Sequence, residues 1–254
     1  MELATLVLQS APAEPPEWVT GCLTSVNEWC NAVGYERLLI GDELFDILPG
    51  WFRQKTAERL PMAADLARLL HIQRLLESGV YRVIWADADT LVLNPRWQIE
   101  DRFHTAFGQE HWLQHNTAGR WAIHRQPHNA FCLFRSDSPV LDFLIYAATS
   151  IVRRADADHL APQMIGPKLL KALHNLVDFD LLPEAGAISP DLLMACHTSD
   201  TSALAVYRKY YDGPLYLANL CQSLAGDSET LGALETAVRQ PETLATLGAA
   251  DSCG

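Results

Sequence analysis

The sequence has no run of apolar residues approaching the roughly 18–20 needed to cross a bilayer, so it predicts no membrane span. Its opening, MELATLVLQSAPAEPP, has neither the basic start nor the long apolar stretch of a secretory leader, and ATLVL reads instead as a strand. Positive charge is scarce. Nineteen Lys and Arg against 31 Asp and Glu leave a net charge of −12. That argues against general nucleic-acid binding, which needs basic faces to displace counterions. It also means that an anionic substrate would need a metal ion and a few local bases to offset the field. The six cysteines, Cys22, Cys30, Cys132, Cys196, Cys221 and Cys253, form no CxxC pair, which argues against a zinc ribbon. They read as buried or free thiols in a reducing, bacterial-type cytoplasm. There is no repeat of fixed period, no Gly-rich phosphate loop and no nucleophile elbow.

What the chain does have is an apolar content of 49% over 254 residues, enough for one large core. ATLVLQ (4–9) predicts a first buried strand, and the prolines of APAEPPEW keep the next stretch irregular. Val19, Cys22, Leu23, Val26, Trp29 and Cys30 recur at steps of three and four, which predicts a helix closed by Gly34. YERLLIG reads as a second strand, residues 42–60 as irregular or short helical structure, and 61–78 as a helix with Pro61 in its first turn. VYRVIWA (80–86) is a nearly continuous apolar run, as befits a central strand covered on both faces. Residues 101–128, rich in His, Gln, Asn and Gly, read as a surface excursion. A strand at 130–136, helices at 140–152 and 163–174, and a late strand at 177–183 complete an alternating α/β pattern with a mostly parallel sheet. This divides the chain into a single domain over 1–225 and a peripheral helical or partly disordered tail over 226–254.

The strongest chemical signal is VIWADADTLVLNP. Asp87 and Asp89 stand at i and i+2 where a buried strand ends, so both point to one side. Ligands of open α/β sheets bind at such carboxyl ends. Two hard carboxylates there suit Mg²⁺ or Mn²⁺, which would bridge two phosphates and stabilise charge on a departing diphosphate. The plainer alternative is a loop with two solvated aspartates. One helix earlier, Asp65 and Arg68 lie three apart and share a face. They form either an intrahelical ion pair or part of a substrate cleft.

The run AADLARLLHIQRLLESGVYRVIWADADTLVLNP resembles the core of the DXD-containing sugar transferases, glycosyltransferase family 32 and its bacterial toxin relatives. Those carry an Asp-x-x-Arg helix, an aromatic-rich strand and then DxD. Further matches keep the family's order: Leu8-Gln9 at the end of the first strand, Asn129-Ala130 beyond the acidic pair, and Ile165-Gly166-Pro167 in place of a Thr-Gly-Pro turn. The likeness covers roughly residues 4–225. It departs from the family at Glu77-Ser78-Gly79-Val80, where a Gly-Gly pair is usual, and in LYLANLCQSL, where Asn219 and Ser223 take the place of His or Glu and a Ser-Trp pair.

The resemblance implies a GT-A fold and a retaining, metal-dependent transfer of a sugar from a UDP- or GDP-sugar to a sugar, lipid or protein acceptor. Asp89 would bind the metal, and Asp87 the metal through water or the ribose. Asp65 and Arg68 would hold the donor sugar, and Asn129 would lie near the sugar or acceptor. Gln9 and Ser223 would touch the donor. A late ligand is expected from residues 215–224. Asn219 is the choice because its amide oxygen suits a hard cation, with His197 as the next candidate and a helix-capping role for Asn219 as the alternative.

The histidines His104, His111, His115, His124 and His128 match no zinc spacing and read as part of a solvated acceptor loop. In the same stretch Trp112 and Trp121 would either stack on a sugar ring or pin the loop. Two other functions compete. A haloacid-dehalogenase-type phosphohydrolase also places Asp-x-Asp after a strand, but its acidic pair follows the first strand and wants Thr or Val where Leu91 stands. A degenerate, non-catalytic sugar-nucleotide-binding protein is the other.

Overall fold

A computed structural model describes residues 4–156, 159–211 and 213–221, and beyond them 232, 236, 238–240, 243, 245, 247 and 248. The chain opens with β1 (Thr5–Ser10), then α1 (Glu17–Val33), which buries the six apolar positions read from its periodicity and ends at Gly34 in the left-handed region, φ 77°. Next come β2 (Glu36–Ile40), a 3-10 turn (Asp42–Ile47), α2 (Gly50–Lys55) and α3 (Leu60–Glu77), with its proline in the first turn. β3 (Arg82–Ala86) is buried along its whole length, and β4 (Thr90–Val92) follows at once. Then come β5 (Thr105–His115), β6 (Trp121–Arg135), α4 (Leu141–Arg154), α5 (Pro167–Leu173), β7 (Asp180–Leu182), β8 (Ala185–Ala187), α6 (Pro190–Thr198), α7 (Thr201–Tyr210) and β9 (Leu217–Asn219).

Six strands form one sheet in the order β2-β1-β3-β6-β5-β7. β6 runs antiparallel to both β3 and β5, while the β1–β2, β1–β3 and β5–β7 pairings are parallel. Strand alternation divides the core. Leu6, Leu8, Val83 and Trp85 pack with Leu66, Leu69 and Leu144 on the α3–α4 side, whereas Val7, Ile84 and Ala86 pack with Val26, Trp29 and Cys30 on the α1 side. A second, three-stranded sheet, β4-β9-β8, lies beside the carboxyl end of β3. It joins a third cluster in which Leu91, Leu113, Leu192 and Tyr207 are buried together.

Several expectations change here. The supposed surface excursion at 101–128 is mostly a long hairpin, β5 and β6, paired from Gly108↔His128 to His115↔Trp121. Along β5 the buried residues His111 and Leu113 alternate with the half-buried Glu110, Trp112 and Gln114, so this strand has one face in a core and one open to a cleft. The helix expected within 163–174, with its start near Gly166-Pro167, is α5, which begins at Pro167; ahead of it Gln163 has φ 61°. The late strand shortens to β7. Part of the tail is not peripheral: Val238 and Leu247 are buried in the third cluster, and Leu215 N–H donates to the Leu247 carbonyl at 3.1 Å. No helix among the described residues is long and apolar enough to cross a membrane. No disulfide joins Cys22, Cys30, Cys132, Cys196 or Cys221.

Candidate functional site

β3 delivers its last side chains to a cleft of about 900 Å³ at the carboxyl end of the sheet. Trp85 faces α3, and two residues on Asp87 keeps that side. The Asp87 N–H donates to the Ala130 carbonyl at 2.8 Å, and the Thr90 N–H returns to the Asp87 carbonyl at 3.0 Å, so the chain turns into β4 with Asp87-Ala88-Asp89 on the bend. All three line the cleft.

On α3 the i, i+3 spacing brings Asp65 and Arg68 together as well as turning both to β3. Both are almost fully buried, 7% and 6% exposed. The Arg68 guanidinium lies 3.5 Å from Asp65 Oδ1 and 3.3 Å from Asp87 Oδ1, and 5.0 Å above the Trp85 ring. It also donates to the Asn129 carbonyl. The Trp85 indole N–H donates to Asp87 Oδ1 at 2.6 Å, and the Asn129 amide donates to Asp65 Oδ1 at 2.7 Å. One guanidinium thus serves two carboxylates, so the buried cluster carries net negative charge. Burial pushes Asp65 up, with Arg68 and Asn129 opposing. Burial also raises Asp87 to about 6, against the pull of Arg68 and with the neighbouring Asp89 adding to the rise. Burial works against the Arg68 charge, but Asp87 and Asp65 outweigh it and its pKa rises.

Asn129 reaches this cluster through an irregularity. Phe107 pairs with Cys132, yet the next residue, Gly108, pairs with His128, so β6 carries three extra residues at Asn129–Phe131. Bulges of this kind re-aim side chains beside functional sites. Gly108 is required there. A Cβ would fall 2.3 Å from His128 Nε2 and 2.4 Å from the Ala185 carbonyl, which His128 contacts at 3.0 Å. Gly166, ahead of α5, closes over Asp65 and Asn129 from the other side. A Cβ on it would stand 2.7 Å from Asp65 Oδ2 and 3.1 Å from Asn129 Nδ2.

Asp89 is held from late in the chain. β4 pairs with β9 so that Thr90 lies opposite Asn219. The Asn219 amide N–H donates to Asp89 Oδ1 at 2.6 Å, and the Leu220 N–H donates to the Asp89 carbonyl at 3.0 Å. Asn219 Oδ1 accepts the Cys221 N–H at 2.9 Å. Both ends of the amide therefore have fixed partners, and the group facing Asp89 is a donor. The helix that Asn219 might have capped does not begin there; Asn219 ends a strand.

The sequence reading brought Asp65, Arg68, Asp87, Asp89, Asn129 and Asn219 forward, and the fold gathers all six at one cleft. Gln9 is corrected. Strand alternation turns it to the α1 side, where it is fully buried and accepts from Arg37 Nε at 2.9 Å. The residue of β1 that lines the cleft is Ser10. Ser223 and the His197 side chain lie outside the described residues. Of the two tryptophans, Trp112 lines the cleft, while Trp121 packs on His115 with ring centroids 3.6 Å apart. Missed by the sequence reading are Ser10, Glu110, Gln126 and Lys171, which also line the cleft. GQEHWLQH (108–115) shows no apolar–polar alternation, so the sequence carried no local signal for the hairpin residues.

No protein-family model matches the sequence, and no curated protein does. Among solved structures the chain is similar to the crystal structure of a glycosyltransferase involved in the glycosylation of the major capsid of PBCV-1. The two are 14% identical with a TM-score of 0.52, over 91% of this chain and 99% of that one. A197 from STIV is 10% identical with a TM-score of 0.32, over 70% and 81% of the two chains, too low to bear on the fold. The first likeness shows the architecture: mixed α/β with a six-stranded, mostly parallel central sheet flanked by helices, as in a glycosyltransferase structure.

Proposed function

We propose that this chain is a glycosyltransferase of the DXD type, using a nucleoside-diphosphate sugar and a divalent cation, with retention at the anomeric carbon. The observation that carries this reading is the meeting of Asp87 and Asp89 at the end of β3 with the Asp65–Arg68–Asn129 cluster in one cleft. The donor set fits Mn²⁺ or Mg²⁺: two carboxylates on one bend, hard oxygens suited to those ions. No group of three His, Cys, Asp or Glu that could hold a metal occurs among the described residues. The protein thus offers a sparse site, whose remaining positions suit diphosphate oxygens and water. When bound, the cation supplies charge stabilisation for the departing diphosphate.

The chain's own residues then have separate tasks. Asp89 is the direct ligand in this reading, and the Asn219 N–H holds its carboxylate in place; Asn219 itself coordinates only with its amide turned over. Asp87, tied by Trp85 and Arg68, presents the rest of its carboxyl group to the cleft. Asp65 and Arg68 take hydroxyls of the donor sugar, and Asn129 bridges them to the acceptor side. Of the alternatives, the phosphohydrolase carries its acidic pair after the first strand, whereas Asp87 follows the third, β3. The cysteines outside disulfides suit a reducing compartment, and we place the protein in the cytoplasm.

The test is incubation with a panel of UDP- and GDP-sugars and Mn²⁺, following nucleotide release with and without excess chelator. Slow donor hydrolysis that the chelator stops is expected. Turnover undiminished by chelator would sink the metal-dependent reading. Nucleotide binding without any turnover would point to a non-catalytic sugar-nucleotide-binding protein.

A further inference from the structure

Beyond the acidic end, the cleft continues along the β5–β6 hairpin, and no task in the transferase reading uses that wall. Its side chains obey strand alternation. Glu110, Trp112 and Gln114 on β5, and His124, Gln126 and His128 on β6, all line the cleft. The residues between them, His111 and Leu113, are buried on the opposite side. The row from residue 110 to 114 spans roughly 13 Å at strand rise, long enough for more than one sugar ring.

We propose that this hairpin face is the acceptor site and that it takes a neutral saccharide, with a pyranose ring against Trp112. The proposal rests on the transferase reading and names the substrate class of its second half. Three observations carry it. Trp112 is a half-buried amphipathic ring in the cleft, whereas Trp121 of the same hairpin already packs, tilted by 32°, on His115. Such rings pair with an apolar surface while leaving polar neighbours at their edge. Around it stand groups that both donate and accept, as hydroxyls require: Gln114, His124, and Gln126, whose amide donates to Glu110 at 2.6 Å.

At the inner end His128 is only 5% exposed and its Nδ1 is buried with no partner, an acceptor left open beside Asn129. Its other nitrogen is committed to the Ala185 carbonyl, and burial lowers its pKa to about 4, so the ring is neutral. Charge selects among saccharides. The wall sets the Glu110 carboxylate against Lys171, so on a chain of net charge −12 it offers no surplus positive charge to hold an anionic sugar. A lipid tail would need a continuous apolar strip, and every cleft-facing side chain of this hairpin from Glu110 to His128 except Trp112 is polar.

The experiment is saturation-transfer NMR on the full chain with Mn²⁺ and UDP or GDP. The probes are methyl β-glucoside, methyl β-galactoside, methyl α-mannoside and, as the anionic arm, methyl β-glucuronide. At least one neutral glycoside should receive saturation on its ring protons. Trp112→Ala should weaken its binding about tenfold, while Trp112→Phe keeps it within about threefold. A thermal melt checks that both variants fold. No transfer to any neutral glycoside, transfer to the glucuronide alone, or a signal undiminished in folded Trp112→Ala overturns the proposal. If Trp112→Ala does not fold, Gln126→Leu serves, with the same tenfold loss expected and an unchanged signal overturning it. Nucleotide binding is read separately by calorimetry on the wild type, so a chain that binds glycosides but no nucleotide refutes the transferase reading instead.

Discussion

The two ends of the cleft are built on opposite plans. At the α3–β3 end, charged groups are buried and spent on one another: Arg68 on Asp65 and Asp87, Trp85 on Asp87, Asn129 on Asp65. At the hairpin end the groups facing the cleft are, apart from the buried His128, partly exposed and joined by fewer bonds, of which Gln126 to Glu110 is the clearest. A closed network is preorganised and costly to disturb. A loosely bonded polar wall adapts to what lies on it. Geometry at the first end is set before any ligand arrives, and selectivity at the second is left to the ligand.

The sharpest way to test this contrast is to change charge without changing shape at the rigid end. Under the proposed reading, Asp89→Asn keeps an acceptor for the Asn219 N–H but removes a ligand charge. Turnover should fall about a thousand-fold or more with the thermal melt nearly unchanged. A melt that collapses would show that Asp89 serves the fold. Next, Arg68→Ala leaves the buried Asp65 and the half-buried Asp87 without their cation and should cost about 3–5 kcal/mol in urea unfolding. A cost below about 1 kcal/mol would mean that the network is looser than its geometry implies.

The hairpin end has its own vulnerability, to acid. His111 and His128 are buried and neutral, each with a pKa lowered by burial to about 4. Their folded values lie below the unfolded value of about 6.5, so the unfolded chain binds more protons between those limits. The stability tied to each neutral ring is therefore intact above about pH 6.5 and shrinks toward pH 4. At pH 5 the loss is about 2 kcal/mol per ring. Urea titrations at pH 7 and 5, compared between wild type and His128→Gln, should show the variant losing less. Equal losses would locate the acid sensitivity elsewhere. The smallest effect is expected at the joint between the plans. Asn219→Ala should weaken Mn²⁺ affinity about tenfold, as when a partner of a metal ligand is lost. Unchanged affinity would remove Asn219 from the site.

The contrast also explains what the sequence disclosed. The acidic end is written locally: an apolar run ending in Asp87-Ala88-Asp89, and Asp65 and Arg68 one helical turn apart. Local periodicity is what sequence reading resolves best. The hairpin was hidden by its composition; its His, Gln and Asn residues suggested solvent, yet His111 and His128 are buried. The three-residue strands β4, β8 and β9 are too short to declare a period, so the second sheet was not foreseen. Gln9 was misplaced by a single residue, which in a strand means the opposite face. Asn129 was found by resemblance, but its means of arrival, a three-residue offset against β5, is a property of pairing that no single strand contains.

The clamp on Asp89 has a consequence in time as well as in space. Its partner Asn219 stands 130 residues further along the chain. At the about 5–20 residues per second of synthesis, the acidic pair waits on the order of ten seconds for the strand that fixes it. During that interval β3 and α3 can already pack, since their contacts are nearer in sequence, but β4 has no neighbour to pair with. Non-local closures of this sort form late in folding as well. Under the proposed reading the site is therefore complete only once β9 has been made, and a ribosome-bound fragment ending before β9 should be compact yet inert.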